Sequence, residues 1–270
     1  MIVLFMSVIL AAPGSAMKTG GLPPMLLNPD TVVTETQAGL PSGLDTAMDN
    51  VLDLPGAVFG LGVVDLNSGE RLTRNPIRRF YIDTPDIVNA AVCVARHNSG
   101  EFSLDSLVGR DEQLWQVARR GQQGAREATQ SIVFYMGGVE HISDWLTSSA
   151  HATTRFEGVS LDWEGAPEVE PSYTTVNDCL DYIELVSDNL DITAVRRMTL
   201  NPPLSVDIEG ALGSSNVVYG WISGRDNTRA INLIVVKPDG ARYGVTVLAN
   251  DLCCQSKGDL GFTILWSALQ

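Results

Sequence analysis

The stretch AVFGLGVVDLNSGERLT, residues 57–73, decides the fold. It reads as an apolar strand carrying Gly60 and Gly62, a polar turn at Asn67-Ser68-Gly69, and a return strand over Glu70–Thr73. That is the pattern of a hairpin with a glycine-containing turn. On its N-terminal side an amphipathic segment runs from Leu44 through Val51 to Leu54. Far along the chain the strand pattern returns in NVVYGWI (216–222), RAINLIVV (229–236) and YGVTVLA (243–249). Lys237-Pro238-Asp239-Gly240 supplies the turn between the last two. A closing helix is predicted from about Gly258 to Leu269.

Between these strand-bearing ends the apolar spacing is helical. One helix is predicted over Pro85–His97, with Ile87, Ala90, Ala91, Cys93 and Val94 apolar. Residues 101–149 are helical in character and interrupted by Gly137-Gly138. Another helix starts near Thr175, where Thr175 and Asp178 have capping-box spacing. It places Val176, Cys179, Leu180, Ile183 and Val186 on one face. The order predicts an α+β fold: an antiparallel sheet built from both chain ends, flanked by helices, with a central all-helical block. The predicted division is 1–16, a signal-like apolar segment; 17–41, a Pro/Gly-rich leader; and 42–270, the folded domain. Within that domain 42–80 and 205–270 form the α/β part, and 81–204 is mainly helical.

The 270 residues are 44% hydrophobic and 19% charged, which fits a globular chain with a sizeable core. A net charge of −14 argues against nucleic acid and anionic membrane surfaces as partners, since both require basic patches. Membrane contact is expected only through the N-terminal segment. The run MIVLFMSVILAA is too short to span a bilayer and suits a secretory core followed by small residues, although no Lys or Arg precedes it. An extracytoplasmic location, periplasmic or secreted, is the expectation; a short membrane anchor or a mis-assigned start is the alternative. Cys93 and Cys179 fall at core positions. Cys253–Cys254 are expected to be packed thiols unless one pairs with Cys93 or Cys179. No zinc pattern occurs, and neither a cofactor nor a metal is expected.

Four segments resemble the serine β-lactamase/penicillin-binding (β-lactamase/transpeptidase-like) family, over roughly residues 42–269. GVVDLNSGERL (62–72) resembles its first hairpin, and Arg79-Phe80 its lead into the nucleophile helix. Tyr135-Met-Gly-Gly-Val-Glu140 resembles the junction between central helices, and VVKPDGARY (235–243) the last hairpin. The resemblance implies a nucleophilic serine with a lysine one turn later in S-x-x-K, an S-D-N element, and a K-T-G strand. At those positions this chain departs from the pattern. Thr84-Pro85-Asp86-Ile87 stands for S-x-x-K, and Ile87 cannot accept a proton from a hydroxyl. Thr84 reads instead as a helix N-cap followed by Pro85. S-D-N falls near Gly124-Ala125-Arg126 or Gly121-Gln122-Gln123. K-T-G falls at Val218-Tyr219-Gly220, which keeps only the glycine, where the strand approaches a neighbour closely.

In the acidic loop, Trp163-Glu164 resembles the family's W-E, whose glutamate activates a water. Glu164 reads more simply, with Asp162, Glu168 and Glu170, as part of a solvated loop. Literal matches mislead: Ser15–Lys18, Lys18-Thr19-Gly20 and Ser187-Asp188-Asn189 all lack the structural context of a catalytic motif. Ser143-Asp144 beside His141 reads as surface decoration. Trp115, Trp145, Trp221 and Trp266 read as core or groove-lining side chains.

The whole chain contains three lysines, Lys18, Lys237 and Lys257. The sequence therefore predicts a non-catalytic serine β-lactamase-like domain, a pseudoenzyme serving as a binding or structural subunit for an unidentified protein partner or assembly. In that expectation no residue is catalytic, and Ile87, Val218 and Tyr219 fill the old cleft. The alternative is a serine-hydrolase-type enzyme of the β-lactamase or peptidoglycan peptidase class. Its non-standard catalytic set would draw on Ser214 or Ser215 and Arg225 or Arg229.

Overall fold

The computed structural model describes residues 39–270 except 84, 85, 109, 110, 124, 150, 152, 159–171 and 226. In chain order the elements begin with α1 (Leu44–Leu52), β1 (Val58–Asp65), β2 (Arg71–Arg74), β3 (Phe80–Ile82) and α2 (Asp86–Asn98). The central part holds β4 (Leu107–Val108), β5 (Glu112–Gln113), α3 (Leu114–Gln122), α4 (Arg126–Tyr135), α5 (Val139–Ser148), β6 (Ser172–Thr174), α6 (Val176–Ser187) and α7 (Thr193–Thr199). The chain closes with α8 (Val206–Leu212), β7 (Val217–Ser223), β8 (Arg229–Val236), β9 (Arg242–Asn250) and α9 (Gln255–Leu269). Among the described residues, no helix is long and apolar enough to cross a membrane.

The predicted hairpin forms with Leu61 opposite Arg74 and Val64 opposite Arg71. Its turn is fastened by Asp65, whose Oδ1 accepts the Asn67 N–H at 2.8 Å, and by Gly69, whose φ is 77°. The main sheet runs β2-β1-β9-β8-β7, antiparallel throughout. β9, late in the sequence, thus pairs with β1, the first strand, as an α+β sheet built from both ends requires.

Period-two alternation sends the side chains of this sheet into two separate cores. Phe59, Leu61 and Val63 of β1 join Ile231, Leu233 and Val235 of β8 and Val245 and Val247 of β9 in one core, closed by α1, α8 and α9. Val64, Ala230, Ile234 and Leu248 face the other core, shared with α2 and α6. Gly60 and Gly62 also point to this second side. A Cβ on Gly60 would lie 2.4 Å from the Phe80 ring, and one on Gly62 2.6 Å from Val176. The glycines therefore let β3 and α6 press against the sheet. Each large apolar side chain buried in this way contributes about 1.5–3 kcal/mol.

The central block is mainly helical, with two short two-stranded ribbons, β3–β6 and β4–β5, that the periodicity does not announce. α6 begins as expected: the Thr175 hydroxyl accepts the Asp178 N–H at 3.2 Å. The Asp178 carboxylate does not complete a reciprocal box; its Oδ2 accepts the Thr154 hydroxyl at 2.6 Å. α9 starts at Gln255, earlier than expected, because the helix takes in Ser256 and Lys257 before its glycine.

Cys93 and Cys179 are fully buried core thiols, both pushed up to about 12 by loss of solvation. Cys253 and Cys254 depart from expectation. Both are exposed, and neither reaches the buried pair. Trp266 is a core side chain, Trp115 lies under the Arg197 guanidinium, and Ser143 and Asp144 are surface residues on α5.

Candidate functional site

A cleft of about 300 Å³ opens where the end of β7 faces the entry to α2. Ile222, Ser223 and Gly224 form its strand wall, with Arg229 of β8 beside them. Asp83 and Asp86 come from the α2 side, Gly121 and Gln122 from the end of α3, and Arg126 from the first turn of α4.

Each of its charged groups has a protein partner. Arg126 Nη2 donates to both Asp83 oxygens, at 2.5 and 2.6 Å, with both side chains mostly buried. Arg229 Nε donates to Asp259 Oδ1 of α9 at 2.8 Å, and its Nη1 donates to Gln255 Oε1 at 3.3 Å. Gln255 Nε2 in turn donates to the Gly224 carbonyl at 2.9 Å, so α9 holds the strand wall from behind. Asp86 accepts the Thr129 hydroxyl at 2.9 Å, with both residues buried. Gln122 donates to the Thr199 carbonyl at 3.1 Å and to the Gly220 carbonyl. A guanidinium stays protonated and accepts no proton, so the two arginines can hold an anion but cannot serve as bases.

The sequence-predicted positions reach different places. Ile87 does not fill the cleft: it lies 3% exposed in the helical-side core, while α2 presents Asp86 to the cleft. Val218, Tyr219 and Gly220 do not line it either. Val218 borders a separate depression of about 750 Å³, together with Ser214. Tyr219 bridges to Leu200, and Gly220 lies against β8. The strand reaches the cleft four residues later, at Ile222-Ser223-Gly224. Of the two S-D-N placements, Gly121-Gln122 borders the cleft; the other also contributes its last residue, Arg126, as an ion-pair partner. Thr84, Gly124 and the acidic-loop residues Asp162, Trp163, Glu164, Glu168 and Glu170 lie outside the described residues, as do Ser15–Lys18 and Lys18-Thr19-Gly20.

Two members of the alternative set lie apart. Ser214 and Arg229 border different cavities. Ser187-Asp188-Asn189 ends α6, where the Ser187 carbonyl accepts from Arg242 at 3.0 Å. Lys237 Nζ donates to the Leu269 carbonyl at 3.2 Å and Lys257 Nζ to the Pro55 carbonyl, so neither lines the cleft. Sequence reasoning missed Asp83, Asp86, Ser223, Gly224 and Asp259 as neighbours. The signal for two of them was the second glycine of the β7 end, Gly224.

Elsewhere among the described residues, His151, Asp178 and Asp181 bring possible ligand atoms within 4.8 Å of one another. Both carboxylates have protein partners: Thr154 on Asp178, and Arg71 on Asp181 at 2.7 Å. His151 Nδ1 lies 3.7 Å from a carboxylate oxygen of each, and Arg71, paired to Asp181 and Glu184, ties β2 to α6.

No protein-family model and no curated protein matches the sequence. Solved structures do. A β-lactamase from Sphaerobacter thermophilus aligns at 17% identity and TM-score 0.66, covering 84% of this chain and 95% of that one. A β-lactamase from Xanthomonas campestris pv. campestris aligns at 18% identity and TM-score 0.68, covering 84% and 96%. The class A β-lactamase of the last common ancestor of Gram-negative bacteria aligns at 16% identity and TM-score 0.68, covering 84% and 98%. The chain thus has the β-lactamase/transpeptidase-like fold that the resemblance of its four segments implies.

Proposed function

We propose that this chain is a non-catalytic domain of the serine β-lactamase-like fold, acting as a binding or structural subunit. One observation carries the reading: the cations of the cleft are arginines ion-paired to Asp83 and Asp259, while both described lysines bind backbone carbonyls elsewhere. Acyl transfer to a serine or threonine needs a group that takes the hydroxyl proton. Arg126 and Arg229 cannot, and Asp86 is buried against Thr129. Phe134, 83% exposed, borders an open depression shared with Val108 and Tyr135, and this supports a protein partner. The apolar run Met1–Ala12 supports export and an extracytoplasmic setting.

Intact-protein mass spectrometry after incubation with a reactive penicillin and, separately, a fluorophosphonate probe tests this. The expected result is the unmodified mass in both. A stoichiometric adduct mapped to a hydroxyl, with Ser223 and Thr84 as the first places to look, would overturn it in favour of a serine hydrolase.

A further inference from the structure

Cys253 and Cys254 lie between the end of β9 and the first turn of α9, both solvent-exposed, with their sulfurs 3.6 Å apart. A disulfide bond is about 2.05 Å long, so ring closure requires a sulfur approach of roughly 1.5 Å. The Ser256 hydroxyl lies 3.1 Å from Cys254 Sγ. Cys254 is the N-cap residue of a 15-residue helix, whose unpaired N–H groups and dipole favour a thiolate. The Ser256 hydroxyl, the neighbouring Cys253 and the Lys257 N–H and charge hold the Cys254 thiol below its usual range. Cys93 and Cys179, sealed in the core, offer no competing reactivity.

We propose that Cys253–Cys254 is a thiol–disulfide exchange site that takes low-molecular-weight disulfides as its oxidant. The Cys254 thiolate attacks one sulfur of the small disulfide; a Cys254–S bond forms, the disulfide's S–S bond breaks, and one small thiolate leaves. Cys253, deprotonated, then attacks Cys254 Sγ; the vicinal disulfide forms and the second small thiolate leaves. Two protein thiols are oxidised and one small disulfide is reduced to two thiols, the protons passing to solvent or the departing thiolates. Neither cysteine lines the cleft.

The test uses the full chain, reduced and desalted, then incubated with oxidised glutathione near neutral pH and followed by intact mass and peptide mapping. Wild type is expected to lose two hydrogens on the peptide holding both cysteines, with Cys93 and Cys179 unchanged. C253S should stop at one glutathionyl group on Cys254, and C254S should react at least about tenfold more slowly. A wild type that stays reduced, or that ends as a stable glutathionyl adduct without ring closure, would overturn the proposal. So would C254S reacting as fast as C253S.

Discussion

Gly220 shows what a single residue fixes. Its φ is 131°, and a Cβ there would stand 2.1 Å from the Asn232 carbonyl oxygen of the neighbouring strand. Gly220→Ala is expected to destabilise the domain by at least about 2 kcal/mol, read as a lower urea midpoint. The need for a glycine at this point was legible in the sequence, because a strand glycine signals close backbone approach. Its distance from the cleft was not. Two glycines, Gly220 and Gly224, could each anchor a count from the last hairpin, and only the end of β7 at Ser223 decides between them. Isoleucine 87 carried its own warning, since burial in a core suits it better than lining a polar cleft.

At the scale of elements, capping and periodicity carried most of the information. Thr175 caps α6 as its spacing predicts, so Thr175→Ala should lower stability by about 1 kcal/mol, measured by chemical denaturation. Valine or isoleucine at 175, which keeps a β-branched shape without the acceptor, should do no better. The ribbons β3–β6 and β4–β5 escaped the sequence because two- and three-residue strands are too short to show a period. The rotation of α2 escaped for a related reason. Successive helix residues turn by about 100°, so a one-residue change of phase exchanges Asp86 for Ile87 at the cleft.

For the molecule as a whole, the sheet built from both ends was legible because a hairpin and three strands flank a helical middle. The cleft was not, because it draws only one or two residues each from β7, β8, α2, α3 and α4. The buried thiols give a global prediction. Cys93 and Cys179 stay protonated in the folded chain up to about 12, whereas in the unfolded chain thiols ionise near 8.5. Between those values the unfolded state binds fewer protons, so stability is fully present below about pH 8.5 and falls as pH rises towards 12. The loss is up to about 1.4 kcal/mol per pH unit for each thiol. Denaturation midpoints across that range should show a shallower decline for the Cys93→Ala/Cys179→Ala variant. Tyr182, which burial also pushes up, leaves part of the slope in place.

The place of β9 in the sheet also governs how the chain emerges during synthesis. β9 separates β1 from β8, yet it comes last in chain order among the described strands. Until Arg242–Asn250 is available, β1 has only the short β2 to pair with, and its valines and leucine stay without their partner. Such long-range pairing is slow, and unpaired apolar edges are prone to aggregate. A nascent chain of this protein is therefore expected to carry an unpaired apolar strand edge until β9 has emerged. The sheet can close only once β9 has been made, and its α1/α8/α9 core only once α9 has followed.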